Sequence, residues 1–387
     1  MASELRIGVA GLGSVAAQIL PCFRDLPGVR LAAASDLRRE ARDAFSKAYD
    51  LPVFEDVDVM CRWPALDAIW VATPNAVHCE HAIAAARNGK HVICEKPMAV
   101  SLAQCDAMIE AAERGGVRLL QGHSKIFDAP IRAMREVIAS GRIGRVIQID
   151  TWNFNDWLQR PRLASEVDTT LGGGLVYRQG PHMVDIVRYL AGGLATSVRG
   201  VVGRHDPHFA TEGNFSALIA FADGAAAALG FNGYGYFDAT ELTWGIGEGG
   251  QQHPEPRSKP AQPRRTGPMP ADEKYRYAAG TASGEAYARG RRMPFFGLTV
   301  ASCERGAIRQ SPDGLYLYTE SGCEELPVAR GHGRAAELVE LRDAVAAGRP
   351  VFPDGRWGRA TLEVCLGILD SSHQHREIAL SRQVPSA

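Results

Sequence analysis

The chain has 387 residues, of which 45% are hydrophobic and 22% charged, so it has the composition of an ordinary globular protein, and its length suggests two or three domains. Its 43 basic and 44 acidic residues nearly cancel. This balance argues against nucleic acid or an anionic membrane as the main partner.

The eight cysteines are scattered and form no CxxC pair, so the sequence predicts neither a metal site nor a disulfide framework. Reduced thiols in a cytoplasmic protein fit this usage best. The first residues lack the pattern of a secretory signal, and no run of about 20 apolar residues follows. We therefore expect a cytoplasmic protein with no membrane span.

Strands and helices alternate over the first part of the chain. A buried strand, LRIGVA, runs into a glycine turn and a helix, and the same alternation continues to VRLLQGH. Helices of 10–15 residues between buried strands indicate βαβ units and a parallel sheet. The sequence predicts an α/β Rossmann domain over residues 1–125. Its predicted strands are LRIGVA, VRLAAASD, LDAIWVATP, KHVICEKP and VRLLQGH.

After this domain the pattern changes to half-buried strands. A helix, PIRAMREVIASGRIG, and a strand, RVIQIDTWNFND, precede the helix that follows GGG. Four later segments alternate like antiparallel strands, which predicts an α+β domain over residues 126–387 with a large, mostly antiparallel open sheet. These segments are TSVRGVVGR, FSALIAFADGAAAALGF, ATELTWGIG and GLTVASCERGAIRQ.

Two features complete the second domain. Residues 249–274 are rich in Pro, Gly, Gln and charge, which predicts a loop whose role is open: it closes over substrate, joins subunits or is simply mobile. Two helices around a PDG turn end the chain, and the last is a candidate to pack back on the first domain.

The stretch GLGSVA, residues 11–16, matches the dinucleotide pattern GxGxxA directly after the first strand. Gly11 permits a tight turn, Gly13 lets the backbone approach a pyrophosphate, and Ala16 allows close packing of helix on strand. Asp36 lies 20 residues after Ala16, where an acid accepts hydrogen bonds from a ribose diol. A Rossmann-like fold that binds another ligand is the alternative. The predicted contacts of the loop are Gly11, Gly13, Ser14, Val15 and Ala16.

The choice between NAD and NADP depends on the end of the second strand. Asp36 repels a 2′-phosphate, whereas Arg38 and Arg39 follow it and are able to hold one. We expect NAD, with NADP as the alternative.

Two further motifs end strands at the edge where open α/β sheets bind ligands. ATPNAVH, residues 72–78, follows the strand DAIWV, and EKP, residues 95–97, follows HVIC. A lysine beside a glutamate at a strand end is not needed for packing. A surface ion pair before a proline turn is the plain alternative.

In this order and spacing, GLGSVA, ATPNAVH, EKP and GGGLVYRQGPH resemble the Gfo/Idh/MocA family of oxidoreductases over nearly the whole chain. The resemblance implies a Rossmann domain followed by an open-sheet domain that pairs face to face in a homodimer or homotetramer. It also implies that Lys96 works beside the nicotinamide and that His182 faces it from the second domain. Besides the glycine loop, the implied or predicted cofactor contacts are Asp36, Arg38, Thr73, Pro74, Asn75, His78, Glu95 and Lys96.

The chain departs from the family pattern at Arg178, where an aspartate is frequent. A guanidinium grips carboxylates bidentately, and residues 178 and 182 are one helical turn apart. The helix is therefore expected to present His182 to the chemistry and Arg178 to a substrate carboxylate. The alternatives are an ion pair of Arg178 with Asp185 or Glu166, and a structural role for His182. Further candidates for carboxylate binding, each also explicable as an ordinary strand or surface residue, are Lys125, Trp152, Asn153 and Arg160.

Several segments, among them RQGPH, WGIGEGG and VFPDGRWGRATLEV, are similar to the phthalate 4,5-cis-dihydrodiol dehydrogenase branch of that family. This likeness implies NAD-dependent oxidation of a cyclic cis-diol with two carboxylates, with Lys96 or His182 as the base. Two other functions remain open: an inositol or sugar dehydrogenase of the same family, and an NAD(H)-binding sensor without turnover.

Overall fold

The computed structural model describes residues 4–24, 26–252, 264–271, 273–274, 292–331 and 333–386. Its described residues form two compact units. The first contains residues 4–124 and 334–362, and the second contains the rest. The sequence places the first domain boundary at residue 125, and in the structure residue 124 belongs to the first unit and residue 125 to the second. The predicted second domain, however, loses residues 334–362 to the first unit.

The first unit contains a six-stranded sheet of order β3-β2-β1-β4-β5-β6 in which every neighbouring pair is parallel. This is the Rossmann order, so the predicted fold of this unit is confirmed. The five predicted strands are present, and the two-residue strand β3 was not predicted. The strands are β1 (Leu5–Ala10), β2 (Val29–Ser35), β3 (Val53–Phe54), β4 (Ala68–Val71), β5 (His91–Glu95) and β6 (Leu119–Gly122).

Helices connect these strands. The predicted helix after the glycine turn is shorter than expected: its α-helical part ends at Ile19 and continues as a 3-10 turn, Leu20–Phe23. Pro21 lacks the N–H that would extend the α-helical bonding. The helices are α1 (Ala16–Ile19), α2 (Arg39–Tyr49), α3 (Val57–Arg62), α4 (His78–Arg87) and α5 (Leu102–Gly115).

The second unit contains a nine-stranded sheet of order β14-β13-β12-β11-β7-β10-β9-β8-β15. Strand β10 pairs in parallel with β7, and the other neighbours are antiparallel, which confirms the predicted mostly antiparallel sheet. The strands are β7 (Val146–Phe154), β8 (Ala195–Gly203), β9 (Asn214–Phe221), β10 (Ala226–Asn232), β11 (Leu298–Cys303), β12 (Gly306–Ser311), β13 (Gly314–Thr319), β14 (Gly322–Pro327) and β15 (Ile378–Ala379).

The strand predicted at ATELTWGIG is wrong. Residues Ala239–Thr243 form a 3-10 turn instead. The carboxylate of Asp238 accepts hydrogen bonds from both the backbone N–H and the hydroxyl of Thr240, and such local bonds favour a turn over a strand.

The helices that come after β6 in the chain are α6 (Ala129–Ala139), α7 (Gly174–Arg178), α8 (Gly180–Ala191), α9 (Gly333–Ala347) and α10 (Gly355–Gln374). Helices α6 and α8 cover one face of the nine-stranded sheet, where Ile149, Met183 and Val187 are fully buried. The opposite face exposes Val201 and Leu218. Helices α9 and α10 flank the predicted PDG turn.

None of the helices in the described part of the chain combines the length and apolarity that crossing a bilayer requires. The eight cysteines are all free thiols.

Candidate active site

The glycine turn after β1 has the geometry expected of a pyrophosphate loop. Gly11 has a φ of +92°, and a Cβ there would lie 2.7 Å from the carbonyl oxygen of Ala72. At Gly13 a Cβ would meet no described atom within 4 Å, so the backbone is open to a ligand. Ala16 is fully buried against the sheet. The loop therefore fits a bound dinucleotide, with Ser14 exposed and Val15 half-buried beside it.

Asp36, directly after β2, is tied to the same loop. Its carboxylate accepts hydrogen bonds from the backbone N–H of Leu12 and of Arg38, each at 2.8 Å. The Arg38 guanidinium binds it through Nε at 3.0 Å and Nη2 at 2.9 Å. Because Asp36 neutralises Arg38, the arginine offers less attraction to a 2′-phosphate, which agrees with the expected use of NAD. Arg39 lies at the surface beside Asp43.

The side chain of His78 connects the turn after β4 with the turn after β5. Its ring is buried, with Nε2 2.8 Å from the carbonyl oxygen of Thr73 and Nδ1 2.9 Å from that of Pro97. Burial lowers the pKa of His78, although the two carbonyls oppose this shift. We predicted that His78 lines the cofactor site, but the structure uses its ring to hold the turn at Thr73, Pro74 and Asn75 against the turn that follows Lys96.

Glu95 is also an internal residue. It is buried at the end of β5, where its carboxylate forms an ion pair with Arg334 of α9 and accepts from Nε1 of Trp70 at 3.3 Å. The strand end is thereby fixed, and the half-buried Lys96 follows it. Because β1, β4 and β5 are neighbouring parallel strands, the loop at Gly11, the turn at Thr73 and Lys96 lie at one edge of the sheet.

In the second unit, the glycine run 172–174 allows close packing. Gly174 has a φ of +84°, and a Cβ there would lie 2.5 Å from the hydroxyl oxygen of Thr211 and 2.6 Å from that of Thr169. The Glu212 carboxylate accepts from the backbone N–H of Val176 at 2.7 Å. The glycines therefore let the start of α7 dock against Thr211 and Glu212, which fixes the direction in which the chain enters the helix.

The predicted single helix after the glycines is two helices. Pro181 has no N–H to bond the carbonyl of Tyr177, so α7 ends at Arg178 and α8 begins at Gly180. Arg178 and His182 consequently belong to different helices, and the expectation of one continuous helical face is wrong.

His182 and Lys125, another predicted site residue, both lie against the ring of Phe296. The His182 ring is nearly buried and packs on Phe296, with 4.7 Å between ring centroids. The Lys125 Nζ lies 5.7 Å from the centroid of the Phe296 ring and donates to the backbone carbonyl of Glu248 at 2.9 Å. Sequence reasoning gave Phe296 no role in the site.

Arg178 makes the ion pair that the sequence left as an alternative. Its Nη2 lies 2.8 Å from Oε1 of Glu166, and the ammonium of Lys274 pairs with the other carboxylate oxygen. Oε2 also accepts from the backbone N–H of Leu163 at 2.7 Å. Burial raises the pKa of Glu166, but the charges of Arg178, Lys274 and Arg162 outweigh it and lower the pKa to about 2. Sequence reasoning named Glu166 only as an alternative partner of Arg178. It missed that Glu166 also binds Lys274, since no motif links residues so far apart.

The remaining predicted carboxylate binders do not converge. Asn153 is buried on the covered face of the sheet, whereas Trp152, the preceding strand residue, is 39% exposed on the opposite face. The expectation that both belong to one site is therefore wrong. Arg160 forms a local ion pair with Asp156 at 2.8 Å.

Comparisons with known proteins agree with this geometry. Residues 5–123 match the model of an oxidoreductase family with an NAD-binding Rossmann fold, and residues 131–244 match the GFO/IDH/MocA C-terminal domain. The 1-carboxy-3-chloro-3,4-dihydroxycyclohexa-1,5-diene dehydrogenase of Comamonas testosteroni is 35% identical over 95% of this chain and 94% of its own length.

Solved structures extend the likeness to the fold. A candidate dehydrogenase of Bordetella bronchiseptica superposes with a TM-score of 0.88 at 34% identity, covering 97% of this chain and 100% of its own. An oxidoreductase of Agrobacterium radiobacter, solved with NAD+, L-tartaric acid and magnesium, has a TM-score of 0.74 at 16% identity, covering 97% and 98%. With a Rossmann domain that fits NAD and relatives matching over nearly its full length, this chain belongs to the Gfo/Idh/MocA family of NAD-dependent oxidoreductases.

Proposed function

We propose that this enzyme oxidises a carboxylated cyclic cis-diol, specifically phthalate cis-4,5-dihydrodiol to 4,5-dihydroxyphthalate. The observation that carries the proposal is the position of Arg178. This arginine lies four residues before His182, and Glu166 holds its guanidinium in an ion pair. Such a cation suits a ring carboxylate and has no ligand in a neutral polyol. The name of the Comamonas testosteroni relative, which specifies a carboxylated dihydroxycyclohexadiene, supports the same substrate class.

The proposed chemistry assigns a proton-handling role to each of two residues. Bound NAD supplies the hydride acceptor. Lys96 takes the proton of the hydroxyl on the reacting carbon, and His182 polarises that hydroxyl or relays the proton. His182 needs little change in pKa for this role, whereas a lysine base depends on burial or nearby positive charge. The hydroxy-ketone formed from a dihydrodiol enolises to a catechol, and aromatisation favours the forward direction.

We also propose that the enzyme is a homodimer or homotetramer that pairs through the open face of the nine-stranded sheet. On this face Trp152, Gly230, Ser216 and Val201 lie in register across four strands, with Leu218 beside them. Trp152, Val201 and Leu218 are large exposed apolar side chains, and several of these on one face of a sheet are typical of an interface. Sedimentation equilibrium distinguishes these assemblies from a monomer, which would contradict the proposal.

The test is NADH formation at 340 nm with NAD and either phthalate cis-4,5-dihydrodiol or myo-inositol. We expect turnover of the dihydrodiol and not of inositol. Arg178→Ala should raise the KM for the dihydrodiol by about 10- to 100-fold, because a charge-assisted hydrogen bond to the substrate is lost. The circular dichroism spectrum of the variant should be unchanged. Arg142→Ala, which breaks a surface ion pair with Glu324, is the matched control.

Three outcomes would contradict the proposal. Turnover of inositol alone would leave Arg178 as a structural ion-pair residue in a sugar or inositol dehydrogenase. An unchanged KM in Arg178→Ala would remove its carboxylate role. Tight NADH binding without turnover of either compound would favour a sensor.

A further inference from the structure

Two histidines of α4 contact the same residue, Thr73, in the turn after β4. Nε2 of His78 lies 2.8 Å from the backbone carbonyl oxygen of Thr73, and Nδ1 of His81 lies 3.0 Å from the Thr73 hydroxyl oxygen. Residues 78 and 81 are three apart on one helix, so their side chains share a face and reach the turn together. The backbone and the side chain of Thr73 are therefore both held by α4.

Thr73 lies directly beside the glycine loop after β1. The backbone N–H of Ala72 donates to the carbonyl of Ala10 at 2.8 Å. A Cβ on Gly11 would lie 2.7 Å from the carbonyl oxygen of Ala72 and 3.0 Å from the backbone nitrogen of Thr73. Because this loop fits the pyrophosphate of NAD, the half-buried Thr73 stands at the border of the cofactor site.

The two histidines hold different parts of this turn. The buried ring of His78 contacts backbone carbonyls on both sides, since its Nδ1 lies 2.9 Å from the carbonyl oxygen of Pro97. His81 contacts a side-chain hydroxyl instead. A threonine side chain has more than one staggered rotamer, and its hydroxyl points in a different direction in each. The bond to His81 therefore selects the direction of the Thr73 hydroxyl in a turn whose backbone His78 already holds.

We infer that His81 is a positioning residue for the cofactor, because it holds the Thr73 hydroxyl in the rotamer that contacts NAD. The inference goes beyond the proposed substrate, since it concerns cofactor binding alone, and it rests on the predicted contact of Thr73 with NAD. A side chain that is fixed before the ligand arrives loses less conformational freedom on binding. The effect of His81 is thus on the affinity for the dinucleotide.

The His81 ring is neutral at neutral pH. Burial lowers its pKa, against the negative charges of Glu80 on the same helix and of Asp58 and Asp56 at the start of α3. A neutral imidazole has one donor and one acceptor nitrogen, so its bond to the Thr73 hydroxyl joins two uncharged groups. An uncharged amide is able to replace it at this contact.

The experiment measures the dissociation constant of NADH by fluorescence titration at neutral pH, without a diol. His81→Leu should raise this constant by about three- to tenfold, as expected for the loss of one hydrogen bond between uncharged groups. His81→Asn supplies an amide near the position of Nδ1 and should stay within about twofold of the wild type.

His91→Leu is the matched control. His91 is another half-buried histidine of the first unit, and its Nδ1 accepts from the backbone N–H of Arg118 at 3.0 Å. It begins β5 and so lies at the edge of the sheet opposite the cofactor loop. This variant should leave the dissociation constant of NADH unchanged.

A double-mutant cycle shows whether His81 acts through Thr73. Thr73→Val removes the hydroxyl at nearly constant shape and should itself weaken NADH binding. In that background His81→Leu should change the dissociation constant by less than about twofold, because the partner of the ring is already gone. Equal losses in the two backgrounds would overturn the inference. Unchanged NADH binding in His81→Leu would overturn it too, as would an equal loss in His81→Asn.

Circular dichroism checks that each variant folds. If His81→Leu does not, His81→Phe, which keeps a planar ring without nitrogen atoms, replaces it in the same cycle. Because the titration needs no diol, absence of turnover of either diol by the wild type would contradict the proposed function and leave this test in force. A wild type that does not bind NADH would overturn the inference itself.

Discussion

The two units hold their candidate functional residues in different ways. In the first unit, the candidate residues follow neighbouring strands of a parallel sheet, so the turns at Gly11, Thr73 and Lys96 share an edge because of strand order alone. In the second unit, Glu166, Arg178 and Lys274 come from separate segments and are joined by ion pairs. Sequence motifs therefore predict the first arrangement but not the second.

The units also differ in how they satisfy their carboxylates. Asp36 is bound by Arg38, two residues away, and Glu95 pairs with Arg334. Glu166 is instead shared between cations of two segments. In the first unit Arg334 is shared between the carboxylates of Glu95 and Glu337, whereas in the second unit the carboxylate of Glu166 is shared between Arg178 and Lys274.

The largest expected effect tests whether each unit supplies one acid–base group. Lys96→Ala or His182→Ala should lower kcat by about 10²–10⁴, because positioned proton transfer contributes that much to a rate. Steady-state kinetics with the dihydrodiol and NAD measures the change.

The matched controls are Lys47→Ala, at the end of α2, and His208→Ala, which removes a surface contact with Asp206. A loss of NAD affinity at unchanged kcat in either active-site variant would assign that residue to binding rather than to proton transfer.

The sequence predicted the first unit well for a physical reason. Buried parallel strands are continuous apolar runs, and Gly11 and Asp36 stand at positions fixed by the strands before them. The roles of His78 and Glu95 were not predictable, because the sequence does not show whether a polar side chain at a helix start or a strand end points outward or into the unit.

The second unit was predicted in outline only. Its antiparallel strands were recognisable because apolar and polar residues alternate along them. The helix break at Pro181, however, depends on one missing N–H, and the 3-10 turn in place of a predicted strand depends on local hydrogen bonds to Asp238. The partners of Glu166 were not predictable, since ion pairs between distant segments have no periodic signal.

The next largest effect concerns the stability that the ion pairs of Glu166 give to the second unit. The pKa of Glu166 is lowered from 4.5 to about 2, so its ion pairs stabilise the folded state fully above pH 4.5, and this stability is lost as the pH falls toward 2. Glu166→Gln should lower the free energy of unfolding by about 3 kcal/mol at neutral pH, with a smaller difference from the wild type at about pH 3.

Urea unfolding at both pH values measures this difference. Glu324→Gln, in an exposed ion pair with Arg142, should change the stability little at either pH. A difference between Glu166→Gln and the wild type that does not depend on pH would show that the cluster does not hold the carboxylate ionised.

The smallest effect tests the ion pair of Asp36 and Arg38 in the first unit. Asp36→Ser removes the charge that repels a 2′-phosphate and releases Arg38 from its two bonds to the carboxylate. The ratio of kcat/KM for NADP to that for NAD should rise on the order of tenfold, since one favourable charge contact replaces one repulsion. Asp43→Ser, at an exposed acid of α2, is the matched control and should leave the ratio unchanged. A ratio that stays constant in Asp36→Ser would mean that cofactor choice is made elsewhere in the loop, and the local pairing at Asp36 would then serve only to hold the backbone of Leu12 in place.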